Sequence, residues 1–173
     1  MTELHRNTKD ACPCLGETIS DLICDFELLA DRLASKVGML RAICSNKYIY
    51  EELEKICELI YHSTPSLRME TSLTLEEIQW LKKRVDLLQR EVDDRCKQFV
   101  LPIGNEKASL SHILRVESKE IVRLLYRHIH NDNTVEPLLL DFYNLLSSYF
   151  FMLALNFNKQ ANVAEIPFIS RNY

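Results

Sequence analysis

Apolar residues recur along this chain at three- and four-residue steps, which is the period of one face of an α-helix. The first block shows the pattern clearly, with apolar side chains at Leu22, Phe26, Leu29, Leu33, Val37 and Leu40. The same period predicts five helices, over 18–44, 47–61, 74–97, 106–130 and 137–158. We therefore expect an all-α protein, built as an up-and-down bundle of about five helices.

Local signals support several of these elements. Thr74 and Glu77 have the spacing of a capping box at the start of the third helix. Gly38 lies inside the first helix, where a close helix crossing would explain the missing side chain. The fifth helix is apolar almost all round, which is typical of a central helix covered by others. Polar Asn144 and Ser148 interrupt its apolar run, so a membrane span is disfavoured.

The stretch between the third and fourth helices is unusual, because it is an apolar loop that reads Phe99-Val100-Leu101-Pro102-Ile103-Gly104-Asn105. Pro102 forces the residue before it toward an extended conformation, and Gly104 permits a turn. A loop that joins two amphipathic helices normally carries polar side chains. We expect these apolar side chains to be buried in a neighbouring element, in a subunit interface or against a ligand.

Composition excludes several functional classes. The chain has 173 residues and only three glycines, so neither a GxGxxG fingerprint nor a P-loop can be present. The net charge is −4, which disfavours a nucleic-acid partner. The first residues lack an apolar signal region, and we expect a cytoplasmic protein with reduced thiols and no membrane partner. Cys12 and Cys14 are then either free thiols on a polar arm or part of a metal or redox site. We expect three segments: a polar arm over 1–17, one helical domain over 18–158 and a tail over 159–173.

Candidate chemistry lies on the fourth helix. Arg115 and Lys119 are four residues apart and share a face, so together they could grip a polyphosphate. Alternatively, they form a solvated edge with Glu117 and Glu120 as local partners. The residues by themselves leave both interpretations open.

Two further polar features lie among apolar neighbours. Asp141, Asn144 and Ser148 form a stripe on the fifth helix, and they either bond neighbouring helices or read a ligand. Asp31 on the first helix is either exposed or paired with a cation of another helix, for which Arg115 is a candidate. No group of residues has the spacing of a metal site, so no metal ligand is predicted among the site residues.

The order of motifs resembles a known family. Residues 99–104 and 110–115 read F-V-L-P-I-G and L-S-H-I-L-R, and they resemble the F-[IV]-L-P-G-G and L-H-x-A-R signature of ATP:corrinoid adenosyltransferases. Residues 142–151 resemble the family's Y-L-N-R-L-S-D-x-x-F stretch, and residues 30–38 resemble its V-D-E-L-N-S-x-L-G helix. The chain is identified as a divergent member of the propanediol- or ethanolamine-utilisation type.

The resemblance implies a five-helix bundle that assembles as a homotrimer with active sites between subunits. It implies transfer of the 5′-deoxyadenosyl group of ATP, with Mg²⁺, to the reduced cobalt of cobalamin. Phe99, with Val100 and Leu101, would face the corrinoid and exclude a lower axial ligand. Arg115 would pair with Asp31 near the nucleotide. Two ATP-binding positions also follow from the resemblance, at Lys119 and Asn144.

Some family positions differ, chiefly on the nucleotide side. The N-terminal T-x-T-G-D-x-G-x-T loop is not present, and Leu145 and Ser148 replace an arginine and an aspartate. Lys119 keeps a charge without the bidentate fork of arginine, and Glu120 adds a like charge near an anionic ligand. The alternative is therefore a non-catalytic relative that binds or delivers a corrinoid and has lost ATP use. A third hypothesis is a helical interaction protein.

Overall fold

A computed structural model describes residues 22–95 and 99–171, and its long elements are five helices. The helices are α1 (Leu22–Ala42), α2 (Lys47–Ser63), α3 (Leu75–Glu91), α4 (Glu106–His130) and α5 (Pro137–Gln160). Two short 3-10 turns, at Thr64–Leu67 and Asp93–Arg95, follow α2 and α3. The all-α bundle of five helices is therefore confirmed.

The third helix is shorter than its periodicity predicts. It ends at Glu91 instead of near residue 97, because the backbone leaves the helical region at Val92 and continues as the 3-10 turn. Its beginning agrees with the capping-box prediction: the Thr74 hydroxyl accepts from the Glu77 N–H, and the Glu77 carboxylate accepts from the Thr74 N–H at 2.8 Å. Asn105 caps α4 in the same way, accepting from the Ala108 N–H.

The core forms around α5, which packs against α3 and α4, while α1 packs against α2 and α4. Tyr143 of α5 meets the Phe26 ring edge-on at 5.9 Å, and its hydroxyl lies 2.6 Å from that of Ser63. Among the described residues, α5 alone has the length and hydropathy of a membrane span, although 56% of that window is buried within the protein. Burial of this kind is typical of a central bundle helix.

Gly38 does not mark a close crossing within this chain. It is exposed, and a Cβ added there would meet no atom of the described residues within 4 Å. The prediction from its missing side chain was therefore wrong for the packing inside one subunit. By contrast, a Cβ added at Gly104, near the end of the apolar loop, would collide with the side chain of Asn158.

Residues 99–105, called the connector below, pair with residues 163–171, called the tail segment. The Leu101 N–H donates to the Ile166 carbonyl at 2.9 Å, and the Phe168 N–H donates to the Phe99 carbonyl at 2.8 Å. Val100 and Pro167 form an antiparallel bridge. The first residues of the connector are therefore held in a short antiparallel pairing with the tail segment, shortly before α4 begins.

Candidate active site beside the connector

The Phe99 ring lies at the surface. It is 82% exposed, and Phe168 and Ile169 of the tail segment are exposed beside the same backbone pairing. Val100 and Leu101 are half-buried. A benzyl group costs free energy when left in water, at about 25 cal/mol per Å² of apolar surface. This group of exposed apolar side chains therefore has the character of a binding surface and does not belong to the core.

A pocket of about 480 Å³ opens next to the connector, between α4 and α1. Its lining combines connector, α4 and α1 residues: Arg32, Pro102, Ser109, His112, Ile113, Arg115, Val116, Glu117 and Glu120. The sequence pointed to Arg115 in this set but not to Arg32 or His112 as site residues. The tertiary structure brings the connector and the cationic face of α4 to one cavity.

Arg115 is a half-buried cation without an anionic partner in the described part of the chain. Its guanidinium lies 5.8 Å from the centre of the Phe151 ring, and its Nε is buried with no hydrogen-bond acceptor. Burial lowers the pKa of this guanidinium. A partly desolvated cation that faces a pocket is suited to hold an anion, because the attraction is screened less there than in water.

Two acidic residues of α4, Glu117 and Glu120, are paired with cations of α1. The Glu120 carboxylate accepts from Arg32 at 2.6 Å, and Glu117 pairs with both Arg32 and Lys36. The alternative in which Glu117 and Glu120 serve as partners of Arg115 and Lys119 is therefore wrong. The pairing with α1 also offsets the like charge that Glu120 would otherwise present to an anionic ligand.

Asp31 and Arg115 are not brought together within this chain. Asp31 is exposed and accepts a hydrogen bond from the Tyr61 hydroxyl of α2 at 2.7 Å, which raises the pKa of that phenol. Successive residues of a helix point about 100° apart, so Asp31 faces α2 while the next residue, Arg32, faces α4. The pairing of Asp31 with Arg115 remains a prediction for a larger assembly.

The polar stripe of α5 faces outward. Asp141, Asn144 and Ser148 are all exposed, and the last two donate to carbonyls of their own helix, at Leu140 (3.0 Å) and Asn144 (3.3 Å). The prediction that they bond neighbouring helices was wrong, because this face of α5 is uncovered in the single chain. Their free oxygens remain available to a ligand.

The stripe continues along α5 to the aromatic ring beside Arg115, since Asn144, Ser148 and Phe151 follow at four- and three-residue steps. A short turn joins α4 to α5, so the two helices run antiparallel. In this antiparallel pair, the residue one turn after Arg115 on α4 therefore lies level with the residue one turn before Phe151 on α5. This places Lys119 level with Ser148 along the helix axes.

His112 is a site residue that sequence periodicity did not single out. It is only 4% exposed, lines the pocket, and its ring centre lies 6.2 Å from that of Phe151. Neither ring nitrogen has a hydrogen-bond partner within the described residues. Burial, with the nearby Arg115 charge, lowers the pKa of His112 to about 4. The imidazole is therefore neutral at physiological pH.

The depressed pKa of His112 predicts acid sensitivity. The unfolded chain binds a proton at this position below about pH 6.5 and the folded protein only near pH 4, so stability falls as the pH drops through this window. Between pH 7 and pH 5, the free energy of unfolding of His112→Phe should fall by on the order of 1 kcal/mol less than that of the parent protein. Urea titrations of both proteins at the two pH values measure the difference, and equal losses would contradict a neutral buried imidazole.

The structure shows no metal centre in the part it describes: residues 22–95 and 99–171 contain no group of three or more His, Cys, Asp or Glu side chains that could hold an ion. Cys24 is buried, and Cys44 and Cys57 are half-buried free thiols. Burial raises the pKa of both half-buried thiols. Cys12 and Cys14 lie outside the described residues.

Comparisons with known proteins show the family and the fold of this chain. The family model for cobalamin adenosyltransferase matches residues 26–157. A corrinoid adenosyltransferase of Bacillus subtilis (strain 168) is 27% identical over 147 residues, which are 80% of this chain and 75% of that protein. Two solved structures of PduO-type ATP:corrinoid adenosyltransferase variants from Lactobacillus reuteri share the fold at a TM-score of 0.77 each.

The first of these, a phenylalanine-to-alanine variant complexed with cobalamin and ATP, is 22% identical and covers 87% of this chain and 88% of its own. The second, an arginine-to-lysine variant complexed with ATP, is 23% identical and covers 90% and 92%. The family match spans most of the helical domain and includes the connector, α4 and the outer stripe of α5. The chain therefore belongs to the cobalamin adenosyltransferase family, as its motifs predicted.

Proposed function

We propose that this protein is an ATP:cob(I)alamin adenosyltransferase. In the reaction the Co(I) electron pair attacks C5′ of ATP, a Co–C5′ bond forms, and the C5′–O5′ bond breaks with its electrons leaving on triphosphate. The observation that carries the proposal is that one connector presents the exposed Phe99 ring and, through Pro102, lines the pocket that contains the unneutralised Arg115. The exposed Phe99 ring suits a flat apolar macrocycle, and the pocket with Arg115 suits a polyphosphate.

On the corrinoid side, Phe99 presents its ring to the lower face of the macrocycle, with Val100 and Leu101 beside it. An apolar wall offers cobalt no axial ligand, and loss of that ligand makes Co(II) easier to reduce to the Co(I) nucleophile. The exposure of the ring supports this role, because nothing else in the described chain covers it. The apolar side chains of the tail segment extend the same surface.

On the nucleotide side, Arg115 and Lys119 hold the phosphates, and Asn144 contacts the nucleotide from α5. Charge stabilisation of the departing triphosphate by fixed cations, together with alignment of cobalt and C5′, supplies the catalysis. His112 adds a neutral group with one donor and one acceptor at the same pocket. Asp31 is exposed on α1 and could orient Arg115 of an adjacent copy.

We propose a cytoplasmic homotrimer that takes ATP as its magnesium complex. Exposed Ile113 and Val116 beside the pocket, each close to half exposed, support burial of this face of α4 against a second copy. No carboxylate cluster of the described residues is shaped for a cation, so the magnesium would be carried by phosphate oxygens.

The direct test mixes the protein with chemically reduced cobalamin and Mg-ATP under anaerobic conditions and follows formation of adenosylcobalamin by its absorbance. We expect product that requires both ATP and protein. Perturbation of the cobalamin spectrum without product would favour the non-catalytic corrinoid-binding relative. The replacement of an arginine and an aspartate by Leu145 and Ser148 is the observation that favours this alternative. No spectral change at all would overturn both proposals.

Lys119 should contribute to ATP affinity. We expect Lys119→Ala to raise KM for ATP about fivefold, equivalent to about 1 kcal/mol and near the upper end for an exposed charge pair. Lys82→Ala, which removes an exposed lysine of α3, is the matched control and should leave KM unchanged. Initial rates measured against ATP concentration provide the test. An unchanged KM in the Lys119 variant would remove this residue from the phosphate site.

A further inference from the structure

Asn158 near the end of α5 holds the connector by its side chain. This residue is fully buried, and its Oδ1 accepts from the Asn105 N–H at 3.2 Å while its Nδ2 donates to the Ile103 carbonyl at 3.3 Å. The carboxamide thus bonds the backbone on both sides of Gly104. Asn105 adds a bond from its own Nδ2 to the Phe157 carbonyl at 2.8 Å.

The chemistry of this contact is specific to asparagine. The amide supplies one donor and one acceptor at the same reach, as a peptide group would. Aspartate has two acceptors and would repel the Ile103 carbonyl, and an apolar side chain would leave a carbonyl and an N–H unsatisfied.

Gly104 is the other half of the contact. A Cβ at this position would lie 2.1 Å from Oδ1 and 2.5 Å from Nδ2 of Asn158. The described glycines have no positive φ, so Gly104 is required for space and not for an unusual backbone conformation. The amide therefore lies flat against the bare Cα of Gly104.

The other end of the connector, at Phe99 and Leu101, is linked to Asn158 through the tail segment. The Asn158 carbonyl accepts from the Val163 N–H at 2.9 Å, where the tail segment begins. Arg95 donates to the Val163 carbonyl and pairs with Glu165, both at 2.7 Å. The tail segment then bonds Phe99 and Leu101. Asn158 thus anchors one end of the connector with its side chain and the other through the tail segment.

We propose that Asn158 is a positioning residue that fixes the place of the Phe99 ring through its contact with Gly104. The inference rests on the proposed function, in which the ring sets the coordination of cobalt. Phe99 is almost fully exposed, so side-chain packing does not hold it. Its position depends on the backbone bonds of the connector, and small displacements of catalytic groups cost large factors in rate.

A double-mutant cycle of Gly104→Ala, Asn158→Ala and both together tests the contact. Each single variant should lower kcat about tenfold and reduce at least fivefold the fraction of bound cob(II)alamin without a lower axial ligand, measured from its visible spectrum. KM for ATP should stay within twofold. Because removal of the Asn158 side chain makes room for a methyl group, the double variant should be no worse than Asn158→Ala.

Asn156→Ala is the matched control, since this buried neighbour bonds Glu91 and Gln160 instead of the connector. It should leave the cobalt spectrum unchanged even if its melting temperature falls. If Asn158→Ala does not fold, Gly104→Ala still tests the proposal, because it changes an exposed position. Losses that add in the double variant, or parental values in both single variants, would overturn the proposal.

Hydrogen exchange separates this inference from the proposed function, because it needs no corrinoid and no turnover. The amides of Leu101 and Asn105 should exchange faster in both single variants than in the parent protein, whereas those of the Asn156 control should not. Parental exchange rates at these amides would overturn the positioning role, whether or not the protein makes adenosylcobalamin.

Discussion

Phe99→Ala will reduce kcat for adenosylation by on the order of 100-fold, the scale expected when a group that sets the geometry of the reaction is lost. The ring is 82% exposed, so its removal opens no cavity in the core. We expect the free energy of unfolding to change by less than about 0.5 kcal/mol, as for other surface substitutions. Single-turnover assays with reduced cobalamin, together with urea titrations, measure the two effects separately.

Leu75→Ala is the control for loss of an exposed apolar side chain. Leu75 is 59% exposed and begins α3, a helix of 17 residues or about 25 Å, at the end remote from the connector. Its replacement should affect neither turnover nor the cobalt spectrum. Normal turnover in Phe99→Ala would remove this ring from the mechanism, and a large loss of stability would show that the ring is a packing residue.

Arg115→Ala will lower kcat/KM for ATP by about 10- to 150-fold, since bonds to a charged group contribute about 1.5–3 kcal/mol. The stability of the single subunit will not fall in parallel, because within the described chain this cation has no carboxylate partner and its Nε has no acceptor. Removing a desolvated, unpaired group relieves a cost. Steady-state kinetics of the variant test the predicted loss of kcat/KM, and thermal melts of the same preparations test the predicted stability.

Arg84→Ala is the matched control, because Arg84 is a half-buried arginine that does have a carboxylate partner, Glu52 of α2. Its removal leaves Glu52 without a cation, although the Tyr149 hydroxyl still donates to it, and should lower stability by about 2 kcal/mol while kinetic constants are kept. A loss of stability in Arg115→Ala like that of the control would contradict the phosphate role and indicate a structural one. Arg115→Lys should recover charge but not the bidentate geometry, and so only part of the activity.

The sequence predicted the helices well and the site in part. A three- and four-residue period reports which face of a helix is buried, and it located α4 and α5 with little error. It could not report where a helix stops when charged residues follow its last apolar position, Val92, and so the prediction for α3 runs past Glu91. The motif resemblance predicted the family, which the family match over residues 26–157 confirms, and it pointed to Phe99 and Arg115 as candidate site residues. His112 was missed because a buried histidine at an apolar-face position looks like any other core residue.

Other features depended on contacts between distant segments. Nothing in the sequence shows that Glu117 and Glu120 are neutralised by Arg32 and Lys36, about eighty residues earlier. The same holds for Asn158, whose amide meets a glycine in another loop. Each depends on how helices are rotated and offset against one another, which a one-dimensional pattern leaves open.

By itself the sequence determined the class of fold, the five helices, the apolar connector and the family, because periodicity and local motifs are properties of short stretches. Only the tertiary structure decided which charges remain unpaired, which polar faces are uncovered and how the connector is held. Those properties arise from pairing between α1, α4, α5 and the tail segment, and a free charge near an apolar surface is what would suit this region to a polyphosphate and a flat apolar macrocycle.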